Sequence, residues 1–176
     1  MDSQDHPVWL VYDFRRTSRL NELYYGGKLK SLELKNFWME IFVASTSSSS
    51  AIASFAFWKS DAGQPYWQAL LVITAVIATL KPFLNYSKKI RKYDELLGFY
   101  RLISHDLREL CSDIRQDKAY NAKHQRRYKE IRGRLRQSVN RSPERLEDKK
   151  AKERCEKQVL AELTPDDFYI PEGELN

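Results

Sequence analysis

Residues 66–84 read YWQALLVITAVIATLKPFL, with Lys81 the sole charge. At 1.5 Å of rise per residue, a helix over this run approaches the roughly 30 Å of bilayer hydrocarbon. The stretch predicts a membrane-spanning helix. Its weak points are terminal, where Lys81 can snorkel to the interface and Pro82 loosens the last turn.

Upstream, residues 37–58 form a second apolar stretch of spanning length, but a polar one. Glu40 stands near its start, and Ser45, Thr46, Ser47, Ser48, Ser49 and Ser50 crowd its centre, with Ser54 beyond. Hydroxyls can bond back to the preceding helical turn, so they permit a helix while lowering its affinity for lipid. Trp58, Tyr66 and Trp67 fall at one end of the two stretches, and Phe37, Trp38 and Tyr86 at the other. That is the aromatic distribution expected at two interfaces. Only Lys59 to Pro65 lies between, which suffices to turn a helical hairpin. Both flanks then share one side, and the basic residues adjoining Lys35 and following Tyr86 place that side in the cytoplasm.

The expected fold is therefore an all-α membrane protein: a two-helix transmembrane hairpin, an N-terminal amphipathic helix and long cytoplasmic C-terminal helices. Four regions follow. Residues 1–35 are a cytoplasmic amphipathic region, 36–86 the hairpin, 87–141 a basic amphipathic helical region, and 142–176 an acidic helix and tail. Their charges are +1, 0, +9 and −4, which recovers the net +6 of the 176-residue chain. A mean hydropathy of −0.63 conceals this segregation of apolar and charged residues.

In the first region Trp9, Tyr12, Leu20, Leu23 and Tyr24 approximate one helical face, with a bend or interruption expected at Gly26-Gly27. After Ser87, steps of three and four residues link Ile90, Tyr93, Leu97, Tyr100, Ile103, Leu107, Leu110 and Ile114, a long amphipathic helix able to pair with another. The rhythm thins over 117–127, where a break is expected, and resumes at Tyr128, Ile131, Leu135 and Val139. Ser142-Pro143 predicts a further helix start, and the helix should run from Glu144 to about Leu163. Thr164-Pro165 repeats that signal before an aromatic tail, Phe168 to Pro171, fit to dock elsewhere. Lys88, Lys89, Arg91 and Lys92 suit contact with anionic head groups, each contributing roughly 1 kcal/mol near the surface. Acids interspersed among these bases weigh against direct nucleic-acid binding.

No catalytic constellation stands out. His6, His105 and His124 lack metal-ligand spacing, no glycine loop cradles a phosphate, and Ser104-His105-Asp106 is a run in sequence, whereas a triad is assembled in space. Neither enzymatic activity nor a cofactor or metal is expected. Cys111 and Cys155 are far apart and read as small apolar positions, without a disulfide framework.

The polar first stretch is the informative feature. On a helix Glu40, Ala44, Ser47, Ala51 and Ser54 share one stripe, a candidate pore or helix-interface face. Small residues let helices approach closely in lipid, and hydroxyls bond across the contact. Three readings stand. The stripe packs within the hairpin against Ala75, Ala78 and Thr79, or several copies assemble and it faces a wetted interior, where ionisable residues tend to lie, or Ser45 to Ser50 is a flexible linker and only the second stretch crosses. The Ile90, Tyr93, Leu97, Tyr100, Ile103 and Leu107 stripe likewise packs either on the N-terminal helix or on a second copy.

The N-terminal Arg15-Arg16-Thr-Ser-Arg19-Leu20, two closely spaced apolar stretches and the Tyr/Leu rhythm from Tyr86 through Tyr93, Leu97, Tyr100 and Ile103 to Leu107 resemble the SLATT family over about residues 10–163. These are bacterial two-transmembrane effectors of conflict systems. The resemblance implies an anti-phage, abortive-infection role at the bacterial inner membrane, both termini cytoplasmic. The implied partners are membrane lipids, further copies of the chain and a cytoplasmic sensor encoded nearby, such as a nucleotide second-messenger synthase or a reverse transcriptase. The implied action is oligomerisation and permeabilisation once that sensor is triggered. Two alternatives are a non-channel membrane anchor or scaffold recruiting a cytoplasmic partner, and a soluble helical nucleic-acid-binding protein.

Overall fold

The computed structural model describes residues 6–47, 64–138 and 148–170. All regular structure among them is helical: α1 (Val8–Ser47), α2 (Gln64–Leu84), α3 (Tyr86–Asp117), α4 (Ala122–Ser138), α5 (Lys149–Glu162) and a 3-10 turn (Pro165–Asp167). The chain divides into two compact units, one of residues up to Lys28 together with those from Lys92 onward, the other Leu29–Arg91.

The transmembrane hairpin is corrected: no helix among the described residues is long and apolar enough to cross a membrane. The expected first span does not begin a separate element at Phe37, because α1 continues without a break from Val8 to Ser47. Residues 48–58 of that span, with Ala51 and Ser54, lie outside the described residues, as does the 59–63 part of the connection. In α2 the unbroken apolar run is Ala69–Leu80, set between Gln68 and Lys81 in the sequence. Twelve residues rise about 18 Å, well short of roughly 30 Å of hydrocarbon, a length more typical of a buried or interfacial segment.

Helix boundaries follow local chemistry. Asn85 has φ 47° between α2 and α3, and Lys118 has φ 46° just after α3. Such left-handed residues satisfy terminal carbonyls and stop a helix. The break expected over 117–127 thus falls at residues 118–121. Asn121 then starts α4: its side-chain oxygen accepts from the backbone N–H of Lys123 at 3.0 Å and of His124 at 3.2 Å, supplying partners for first-turn donors. Asp148 does the same for α5, accepting from Ala151 N–H at 3.1 Å. The start expected at Ser142-Pro143 lies outside the described residues. Gly26-Gly27 does not interrupt α1. A Cβ on Gly26 would stand 3.6 Å from Leu97 Cδ1, so the glycine sits where α3 passes close to α1.

In the first unit α1, α3, α4 and α5 enclose one apolar core. Val8, Val11 and Tyr12 of α1 meet Ile103, Leu107, Leu110, Cys111 and Ile114 of α3, Tyr128 and Ile131 of α4, and Val159, Leu163 and Phe168 further on. On α3 these residues recur at three and four positions, the signature of a helix buried along one stripe. Outside the core, Arg127 pairs with Asp113 at 2.7 Å and with Glu109, and Arg134 pairs with Asp106 at 2.8 Å, which fixes the register of α4 on α3. Lys28 reaches Asp148 at 3.2 Å, and the Tyr24 hydroxyl accepts from Asp148 N–H at 3.1 Å, joining α1 to the start of α5. The Ala151 N–H and the Lys28 ammonium hold the Asp148 carboxyl below its ordinary range.

The aromatic tail is seated on this core. Phe168 is buried, its ring centroid 4.3 Å from that of Tyr12. The Tyr12 hydroxyl donates to the Tyr169 carbonyl at 2.8 Å. Above the Phe168 ring stand the guanidinium groups of Arg15 and Arg16, at 5.3 and 5.2 Å, within cation–π range. The Asp167 carboxylate accepts from Thr164 N–H at 3.0 Å, closing the turn that presents Phe168.

Candidate functional site

Two features remain once the core is assigned: an apolar helix surface in the second unit and a basic cleft in the first. In the second unit, α2 exposes Tyr66, Val72, Ile73, Val76, Leu80 and Phe83, from 50 to 78 % of each. At about 100° per residue, positions 72, 73, 76, 80 and 83 fall within one arc of roughly 100°, so they form a single broad apolar face. Its hydroxyls are internally satisfied: Thr74 Oγ1 donates to the Leu70 carbonyl at 2.7 Å and Thr79 Oγ1 to the Ala75 carbonyl at 2.8 Å. Back-bonded threonines of this kind leave an apolar exterior.

Ala75, Ala78 and Thr79, the residues of the expected second-span interface, are themselves exposed. From the first-span stripe, Glu40 and Ala44 are exposed on α1, where Asn36 Nδ2 donates to Glu40 Oε1 at 3.0 Å. Ser47 closes α1. Lys88, Lys89, Arg91 and Lys92 stand exposed along the first turns of α3.

The α3 stripe of the first unit lies in intramolecular contacts. Tyr93, Leu97, Ile103 and Leu107 are buried and Tyr100 partly so; Ile90, which belongs to the second unit, is partly buried. Tyr25 of α1 stacks on Tyr100 at 5.4 Å between centroids and tilts against Tyr93 at 6.1 Å. Burial pushes the Tyr100 hydroxyl up to about 12.

The second feature is a cleft of about 300 Å³ lined by Arg15 and Arg19 of α1, Ser104 and Arg108 of α3, Glu162 of α5 and the following Leu163. Residues four apart share a helical face, which brings Arg15 beside Arg19 and Ser104 beside Arg108. Arg19 Nε donates to Glu162 Oε2 at 2.9 Å, and its Nη1 pairs with Glu22 at 3.0 Å. The Arg19 hydrogen bond holds the Glu162 carboxyl below its ordinary 4.5. Gln158 Nε2 also donates to Glu162, at 2.7 Å. Cys111 lies next to Arg15, yet burial prevails and raises its thiol to about 11, so it is a packing group and not a nucleophile.

Ser104, His105 and Asp106 do not converge. Successive helical residues point about 100° apart; Ser104 is buried at the cleft, whereas His105 is exposed with Nδ1 3.8 Å from Glu109. The ligand atoms of His105, Asp106 and Glu109 do fall within 4.8 Å of one another. Both carboxylates are already engaged, Asp106 by Arg134 and Glu109 by Arg127. The basic cleft escaped the sequence reading. Its one sequence signal is the pair of four-residue spacings, Arg15 to Arg19 and Ser104 to Arg108, on helices whose apolar stripes face each other.

No protein-family model matches the chain, and no curated protein or solved structure does. The likeness to the SLATT family rests on the residues quoted for it.

Proposed function

We propose that the chain is a membrane-associated helical effector that attaches to an anionic bilayer through the apolar surface of α2. Once gathered there in several copies at a partner's signal, it disturbs the bilayer. The observation that carries this reading is the exposure of Val72, Ile73, Val76, Leu80 and Phe83 along one face of a helix whose threonine hydroxyls bond internally. Side chains of this size transfer from water with roughly 1.5–3 kcal/mol each. The occupant is lipid: one broad apolar face suits a helix lying in the plane of the interface, and Lys88, Lys89, Arg91 and Lys92 add attraction for anionic head groups. An apolar run of about 18 Å suits the interfacial zone as the seat of α2. The SLATT resemblance supplies the expected setting, a bacterial conflict system with a separate cytoplasmic sensor.

The test uses dye-loaded vesicles of phosphatidylethanolamine and phosphatidylglycerol. The full chain should co-sediment with them and release dye. A Val72→Asp, Val76→Asp double variant should lose at least tenfold in vesicle affinity, because each change removes one large side chain's worth of transfer energy. Co-sedimentation without dye release favours the non-channel anchor or scaffold. Failure to co-sediment refutes both.

A further inference from the structure

We infer that the cleft between α1, α3 and α5 is a binding site for the phosphoryl group of a small phosphorylated molecule, held by Arg15, Arg108 and the Ser104 hydroxyl. Three guanidinium groups, those of Arg15, Arg19 and Arg108, line it together with one carboxylate, Glu162. That carboxylate is already matched by Arg19 and Gln158. Among the described residues, neither Arg15 nor Arg108 pairs with a carboxylate, so the cleft keeps a positive excess.

The observation pointing to a ligand is Ser104. It is 7 % exposed, and its Oγ is buried with no hydrogen-bond partner among the described residues. Leaving such a hydroxyl unpaired costs about 1–3 kcal/mol. A serine within a helix can relieve this by bonding back to the preceding turn; here Ser104 instead stands at the wall of a cleft among arginines, its hydroxyl unpartnered among the described residues. An anion seated there would accept from Ser104 Oγ–H and from the planar forks of Arg15 and Arg108, which match phosphoryl geometry better than ammonium groups do.

The volume, about 300 Å³, is at the lower end of small-molecule pockets. It exceeds what inorganic phosphate alone fills, which favours an ester carrying a compact organic group. Glu162 lies on one wall and repels the anion, so the phosphoryl group sits toward Arg15, Arg108 and Ser104. The site belongs wholly to the first unit and is independent of lipid attachment.

The experiment is calorimetric titration of the full chain, without lipid, with inorganic phosphate and separately with adenosine monophosphate at low ionic strength. Either ligand should bind. Tighter binding of the nucleotide identifies an ester site, and equal binding identifies the free anion as sufficient. Arg108→Gln, an exposed position, and Ser104→Ala should each weaken binding about tenfold, the loss of one charge-assisted hydrogen bond. Thermal unfolding of Ser104→Ala should occur at or above the native temperature, since an unpartnered hydroxyl is removed; this separates lost binding from lost fold. Heat from neither ligand, or native affinity in both variants, overturns the site.

Discussion

The two units solve the same problem, helices with apolar surface in water, in opposite ways. The first closes its stripes on one another: Val8, Val11, Ile103, Leu107, Leu110, Ile114 and Ile131 are each fully buried. The second leaves α2 with half or more of Val72, Ile73, Val76 and Leu80 uncovered. Charge patterning accompanies the difference. Helices α3 and α4 carry ionic pairs beside their core stripe, whereas Ala69–Leu80 of α2 carries no charge with which to face water. Burial inside a unit yields a self-sufficient fold, whereas α2 keeps a broad apolar face open.

The contrast can be broken most directly at Leu107. Leu107→Ala should destabilise the first unit by about 3 kcal/mol, since a fully buried leucine is lost and a cavity left. Val76→Ala in α2 should change the unfolding temperature hardly at all in vesicle-free buffer. Circular-dichroism melting of the two variants checks both, and equal effects would show that α2 is as well packed as the core. Tyr12→Phe comes next. It removes the hydroxyl donating to the Tyr169 carbonyl and should cost about 1 kcal/mol by the same measurement.

The smallest effect is on the acid side. Because Arg19 holds the Glu162 carboxyl below 4.5, the pair's stabilisation is present above that pH and fades as pH falls through the lowered value. Both partners are partly solvated, so the loss should be slight. Melting temperatures of native chain and Glu162→Gln, compared between neutral pH and pH near 4, should converge on acidification. A constant gap would remove the pair from the account.

Much of this architecture is legible in the residues. Three- and four-residue spacing marks the α3 stripe from Tyr93 to Ile114, and the thinning after Asp117 marks the break before α4. Thr164-Pro165-Asp166-Asp167 forecasts the turn that delivers Phe168. Helical continuity across Gly26-Gly27 is not forecast, since the reason is tertiary: Leu97 of α3 passes over Gly26. Spanning by residues 66–84 is overestimated because Gln68 and Lys81 trim the apolar run. The cleft is the least legible part. Arg15, Ser104 and Glu162 are remote in sequence, and that Ser104 lacks a partner among the described residues is a property of packing alone.

The hydrogen bond between Tyr12 and Tyr169 joins positions 157 residues apart. During synthesis at roughly 5–20 residues per second, the first turns of α1 would leave the ribosome about 8–30 s before the segment that covers Tyr12 exists. Helix α2 emerges within that interval, its apolar run complete while the first unit is still open. On the proposed attachment, the apolar face of α2 is open to lipid before the first unit closes, and the order of translation sets which surface is covered first.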